Sequence, residues 1–195
     1  FGHSRLVTNG SQLENDNNQP VIKYNLIATH NGIIVNVDEI NSKYGFDRKF
    51  DIDTEVFLSL VNHFHSNKDC NAIDSVNKSF NEIFGTISTS LFFEKYNQLI
   101  LATNNGSLYY VTNNKDILIY ASEKYIIDKV LRNTKLNIQN LKSIHLESNT
   151  GIFLNLEDFK FLNFHINENV KSEIVEPKVN YKTLIEFIEL KGDKS

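Results

Sequence analysis

The 195-residue chain has no methionine, no tryptophan, one cysteine, two prolines and eight glycines. The single cysteine, Cys70, excludes an internal disulfide framework and leaves any thiol chemistry to one side chain. No apolar run approaches the roughly 20 residues of a membrane-spanning helix. Nor do these residues read as a secretory leader, with its basic start and apolar run, and none is expected. A cytoplasmic protein with no membrane partner is therefore expected. Lys and Arg number 20 against 24 Asp and Glu, giving a net charge of −4 and a pI near 5.9. That balance speaks against nucleic acid as a partner, because binding phosphates calls for a basic face. A chain without methionine that begins at Phe1 is read as the remainder of a larger protein.

What is present suits one domain with a substantial core, since 41% of residues are hydrophobic and 23% charged. Val21 to Thr29 reads as a strand, followed by a turn at Asn31-Gly32 and a second apolar run, Ile33-Ile34-Val35. Val37 to Tyr44 reads as a short helix with Ile40 on its inner face and Gly45 ending it. From Asp53, the i, i+4 spacing of Val56, Leu60 and Phe64 predicts a helix with one buried face. A third helix is expected from Ala72 to Phe84, stopping at Gly85. Strands are expected at Thr86–Phe93, Gln98–Thr103, Leu108–Thr112 and Ile117–Ala121. Ser122 is expected to cap a helix carrying Ile126, Ile127, Val130 and Leu131. Weaker strands are expected at Lys142–Leu146 and Gly151–Asn155. Two helices on one side of abundant antiparallel strands make an α+β sandwich the expected class.

Three short motifs carry the chemistry: His3-Ser4-Arg5-Leu6-Val7-Thr8-Asn9-Gly10, His30-Asn31-Gly32 and Asp53-Thr54-Glu55-Val56. Each has a plain structural reading. Asn31-Gly32 is a type I′ turn signal, Arg5 is an ordinary surface arginine, and Asp53-Thr54 before an apolar helix is an N-cap with an acidic first turn. In this order, after a strand-like run and before a helical one, the three resemble the class II glutamine amidotransferases. That group includes glucosamine-6-phosphate synthase, amidophosphoribosyltransferase and asparagine synthetase. The resemblance runs from His3 to about Asp128, and Ala121-Ser122-Glu123 adds the family's "ASE" or "ASD" signature.

The resemblance implies the N-terminal-nucleophile hydrolase fold, an αββα sandwich of antiparallel sheets, with its N-terminal strands outside this chain. It implies hydrolysis of glutamine to glutamate and ammonia. Free glutamine presents a carboxylate, an ammonium and an amide, so its pocket needs a cation, an anion and oxyanion donors. Arg5 offers the planar fork that suits a carboxylate, and the resemblance assigns it that role with Thr8 beside it. Asp53 would be the counter-charge of the ammonium. Asn31 and Gly32 would supply the oxyanion pair, where losing one donor typically costs about 3–4 kcal/mol of barrier. His30 and Asn9 are placed with the substrate-binding residues, Asn9 standing where relatives have His or another polar residue.

The family's nucleophile is an N-terminal cysteine whose own α-amine, with pKa about 7.7–8.0, takes the proton. That cysteine is expected upstream of Phe1. Cys70 lies in a polar stretch without an α-amine, and a passive surface or half-buried thiol is expected there. No cofactor is implied. His63 and His65 sit at i and i+2 of a helix, where side chains diverge, so no metal site is expected. Ala102 to Tyr109 stands where relatives carry an "AARGSPL" type segment, and Asn104-Asn105-Gly106 reads as a hairpin turn. Residues 1–165 are expected to form the glutaminase domain. Residues 166–195, with the apolar stripe Tyr181, Leu184, Ile185 and Ile188, would be a linker or C-terminal helix toward an ammonia-accepting synthase domain or subunit. The preferred acceptor is a sugar phosphate or nucleotide sugar, with a phosphoribosyl or aspartyl acceptor as the other options, and a homo-oligomer is left open. The competing expectation is a non-catalytic glutamine-binding or interaction domain that kept the fold without its nucleophile.

Overall fold

The computed structural model describes residues 2–3, 18–67, 69–134, 138 and 140–166. Arg5, Thr8, Asn9 and the apolar stripe at 181–188 lie outside the described residues.

Nine strands and four α-helices are formed by these residues. In chain order they are β1 (Val21–Lys23), β2 (Leu26–Ile34), α1 (Val37–Tyr44), α2 (Asp53–His65), α3 (Ala72–Glu82), β3 (Gly85–Phe93), β4 (Gln98–Thr103), β5 (Tyr109–Thr112), β6 (Leu118–Ala121), α4 (Lys124–Asn133), β7 (Ile144–His145), β8 (Thr150–Asn155) and β9 (Phe161–His165). One antiparallel sheet has the order β1-β2-β3-β4-β8-β9 and a smaller one the order β6-β5-β7.

Period-2 alternation sorts the side chains into three stacked cores. Ala28, Leu91, Ile100 and Phe153 face the helices, meeting Val56, Phe57 and Leu60 of α2 and Val76 and Phe80 of α3. Leu99, Leu101, Ile152 and Leu154 point the other way, toward Leu108 and Tyr110 under the small sheet. On that sheet's far side Val111 packs with Ile127 and Leu131 of α4. Helix, sheet, sheet and helix therefore lie in layers, as an N-terminal-nucleophile hydrolase sandwich does. All six residues of β4 are buried, as expected of a strand covered on both faces.

Local signals hold for α1, whose end is the left-handed Gly45 at φ 67°, and for β4. Three others are corrected. Chain reversal after β1 occurs at Tyr24-Asn25, both left-handed at φ 58° and 59°, so β2 runs unbroken through Asn31 and Gly32. The type I′ turn takes its φ > 0 residues from Tyr24 and Asn25, so the Asn-Gly pair is left to the strand. Asn104 to Leu108 makes no hairpin, because β4 and β5 belong to different sheets. The segment steps across the sandwich, tied by Asn104 N to Ile87 O at 3.0 Å. Capping also differs: Ile52 and Glu123 hold the N-cap positions of α2 and α4, in place of Asp53 and Ser122.

Helix α3 does have a side-chain cap. Asn71 accepts the Asp74 N–H at 2.9 Å, satisfying one of the donors left free at a helix start. Asn71→Ala is expected to lower unfolding free energy by about 1 kcal/mol, measurable by urea denaturation.

Helix α2 is anchored at the end that meets the site. Glu55, 1% exposed, accepts Lys23 Nζ at 2.7 Å and the Phe50 N–H at 2.8 Å. A carboxylate so far from water requires such partners. Together they fix the Lys49–Phe50 approach to the helix and hence the position of Asp53.

Candidate functional site

A cavity of about 950 Å³ opens beside the end of β2 and the start of α2, and Gly2, His3, Gln19, His30, Asn31, Gly32 and Asp53 line part of it. Four separated pieces of sequence are thus brought to one place. Asn31, Gly32 and Ile33 are exposed in a row, between the buried His30 and Ile34. The opening of the His3 motif reaches the same cavity, and so do Ala121, Ser122 and Glu123 from the end of β6.

Gly32 has φ 140°, a conformation that side chains beyond glycine rarely adopt. A Cβ there would lie 2.0 Å from the Thr86 carbonyl oxygen. Across the ladder, Gly85 has φ 133° and an added Cβ would meet the Ile33 carbonyl oxygen at 2.0 Å. The two glycines let β2 and β3 approach closely where the cavity begins.

Asp53 is the first residue of α2 and 6% exposed. One carboxylate oxygen accepts the Ile34 N–H at 2.9 Å, which ties the helix start to the end of β2. The other lies 3.5 Å from His30 Nδ1. Burial acts most strongly on this carboxyl and pushes its pKa up. The His30 hydrogen bond and charge, with the Ile34 and Thr54 N–H groups, outweigh it, and the net result lies below the ordinary aspartate value. The N-terminal end of a helix dipole also favours an anion there. His30 borders the cavity, but its side chain is only 1% exposed. Its ring is held between the Thr86 carbonyl at 3.3 Å and Thr54 Oγ1 at 3.4 Å, so the imidazole steadies Asp53 from behind.

Sequence reasoning missed the hydroxyl wall of the cavity. Tyr120 OH in the small sheet donates to Ser90 Oγ at 3.0 Å, and Ser90 lies 2.8 Å from Thr29 Oγ1 in β2. Burial raises the Tyr120 pKa, with the Ser90 hydrogen bond partly opposing it. No local motif flags these residues, since the contact joins two sheets. Gln19 was not named as a site residue either; beside it Pro20 stands just before the start of β1, a position that tolerates proline.

Cys70 is in another place. It is 5% exposed in a separate cavity of about 570 Å³ with Tyr24, His65 and Tyr96, beyond the C-terminal end of α2. The length of α2 separates that end from Asp53 by about 18 Å. Burial raises the thiol pKa, so it is a poor thiolate. His63 packs edge-on to Tyr44 and Phe46, whereas His65 meets Phe93 and Tyr96. The two imidazoles diverge, as their i, i+2 spacing requires. Among the described residues no helix is long and apolar enough to cross a membrane.

Residues 3–129 match the family model of the glutamine amidotransferase domain. Glutamine–fructose-6-phosphate aminotransferase (isomerizing) of Wigglesworthia glossinidia brevipalpis is 34% identical over 109 residues, 54% of this chain and 18% of that enzyme. Its counterpart in Buchnera aphidicola subsp. Baizongia pistaciae is 23% identical over 100% of this chain and 34% of the enzyme. The chain thus spans between about a fifth and a third of the length of these curated relatives. Among solved structures, the glutamine phosphoribosylpyrophosphate amidotransferase of B. subtilis has a TM-score of 0.65 at 21% identity, over 86% of this chain and 34% of that one. An allosteric regulatory enzyme of purine biosynthesis has a TM-score of 0.60 at 20% identity, over 79% and 32%. Both share the fold.

Proposed function

The chain belongs to the class II glutamine amidotransferases, and from that premise we propose that its cavity is a glutaminase site supplying ammonia to an acceptor. The observation that carries this reading is the exposure of Asn31 and Gly32 into the cavity that the anchored carboxylate of Asp53 also lines. Glutamine would place its ammonium at Asp53 and its carboxylate at Arg5 and Thr8, with Asn9 alongside and His30 holding Asp53. The side-chain amide would then lie at Asn31 and Gly32, whose N–H groups would receive the oxyanion.

The nucleophile in this reading is the N-terminal cysteine of a segment outside the 195 residues, because Cys70 lies at the far end of α2. Its thiol adds to the amide carbon while its α-amine takes the thiol proton. Collapse of the tetrahedral adduct expels ammonia and leaves a thioester, which water hydrolyses to glutamate. Residues 1–165 are the glutaminase unit of this proposal, with 166–195 leading toward a synthase domain or subunit. The preferred acceptor is a sugar phosphate or nucleotide sugar, supported by the similarity to glutamine–fructose-6-phosphate aminotransferases.

The test uses the whole protein that carries this chain. It is expected to release glutamate from glutamine and to show an N-terminal cysteine by terminal sequencing. Arg5→Ala is expected to abolish glutamine-dependent amination and leave ammonia-dependent amination intact. Loss of both activities in a folded Arg5→Ala protein would sink the assignment, and absence of the cysteine would favour a binding module.

A further inference from the structure

The β1–β2 ladder ends at the pair Val21 and Ala28. Pro20 has no N–H with which to extend it, and among the described residues no strand lies beside this edge of β2 beyond Ala28. Gln19 takes over there. Its side-chain Nε2 donates to the His30 carbonyl at 2.9 Å, and its Oε1 accepts the His30 N–H in a short hydrogen bond. A carboxamide carries donors and an acceptor in one plane, so a single uncharged side chain satisfies both main-chain groups of one residue. The clamp closes on the residue immediately before Asn31 and Gly32. On their other side those two are paired with Ser88 and Ile87 of β3. The strand is therefore gripped from both edges at the point where it enters the cavity, which Gln19 itself lines.

We propose that Gln19 is a positioning residue for the oxyanion donors Asn31 and Gly32, acting through the main chain of His30; this rests on the glutaminase reading. Oxyanion donors act only when held at the place where charge develops, and a misplacement of about 1 Å can cost about a hundredfold in rate. The charged ends of glutamine are held elsewhere in this reading, by Arg5 and Asp53. Loosening β2 would then weaken binding to the transition state and spare binding to the substrate.

The experiment compares Gln19→Met, which keeps the length and loses both hydrogen bonds, with Gln19→Glu, which keeps only the acceptor. In the whole protein Gln19→Met is expected to lower kcat for glutamine hydrolysis about tenfold to a hundredfold, with KM within about twofold. Gln19→Glu is expected to lose at least as much, because a carboxylate cannot donate to the His30 carbonyl. Amide hydrogen exchange at His30 and Gly32 is expected to accelerate in both variants. Wild-type kcat in Gln19→Met, or a parallel decline of kcat and KM, would overturn the proposal. If the wild-type protein releases no glutamate, the glutaminase reading falls. The exchange measurement then decides Gln19 alone, with unchanged protection of His30 and Gly32 refuting the clamp and faster exchange supporting it.

Discussion

Asp53→Asn is expected to lower kcat/KM for glutamine about 30-fold to several-thousand-fold in a protein that folds normally. Stripping one partner from a desolvated charge pair commonly costs about 2–5 kcal/mol, and each 1.4 kcal/mol is about tenfold. Asparagine separates the two jobs of this side chain. Its carbonyl oxygen can still accept the Ile34 N–H that Asp53 accepts at 2.9 Å, so the tie between α2 and β2 survives. What it lacks is the charge that would hold the glutamine ammonium. Steady-state kinetics on wild type and variant measure the difference, and unchanged kcat/KM in Asp53→Asn would remove Asp53 from the substrate site.

The same variant has a predictable acid behaviour. In the folded protein the Asp53 carboxyl titrates below its ordinary value. Its ionised form therefore contributes stability that is present above the unfolded pKa of about 3.9 and lost as pH falls through the folded pKa. Thermal unfolding of the wild type should decline through this acid window, and Asp53→Asn should flatten that limb. Between about pH 5 and 8 the group stays charged, so Asp53 adds no limb to the pH profile of glutamine use.

Gly32→Ala is expected to abolish glutaminase activity and to destabilise the fold by more than the roughly 1–3 kcal/mol that a strained backbone conformation alone costs. Its methyl group would sit 2.0 Å from the Thr86 carbonyl oxygen while φ stays at 140°. The clash is with main chain inside the β2–β3 ladder, so relief requires the strands to separate at the site. Gly45→Ala is the control. Gly45 also has positive φ, at 67°, but an added Cβ there meets nothing within 4 Å, so only the conformational cost of about 1 kcal/mol remains. Urea denaturation of the two variants should rank them in that order, and equal midpoints would refute the close approach at Gly32.

The motifs were legible because their chemistry is written in residue types. Arg5, Asn31, Gly32 and Asp53 could be named from the chain, and the structure gathers Asn31, Gly32 and Asp53 around one cavity, while Arg5 lies outside its described residues. The helical period of Val56 and Leu60 placed α2, and Gly45 marked the end of α1. Local grammar misled at Asn31-Gly32, where the strongest hairpin signal in the neighbourhood lies within a nine-residue strand. Tyr24-Asn25 makes the turn despite a weaker local preference, because β2 gains a complete ladder against β3 by running straight to Ile34. Strand β9, from Phe161 to His165, went unpredicted and is defined by its pairing with β8.

The sequence by itself determined the kinds of groups available for glutamine and the periodicity of most elements, because both are properties of neighbouring residues. Tertiary structure alone decided that Asn31-Gly32 is strand and that Gln19 grips His30. It also decided that hydroxyls from two sheets form one wall. Each of these depends on pairings between residues far apart in the chain, whose energy is realised only when the layers close.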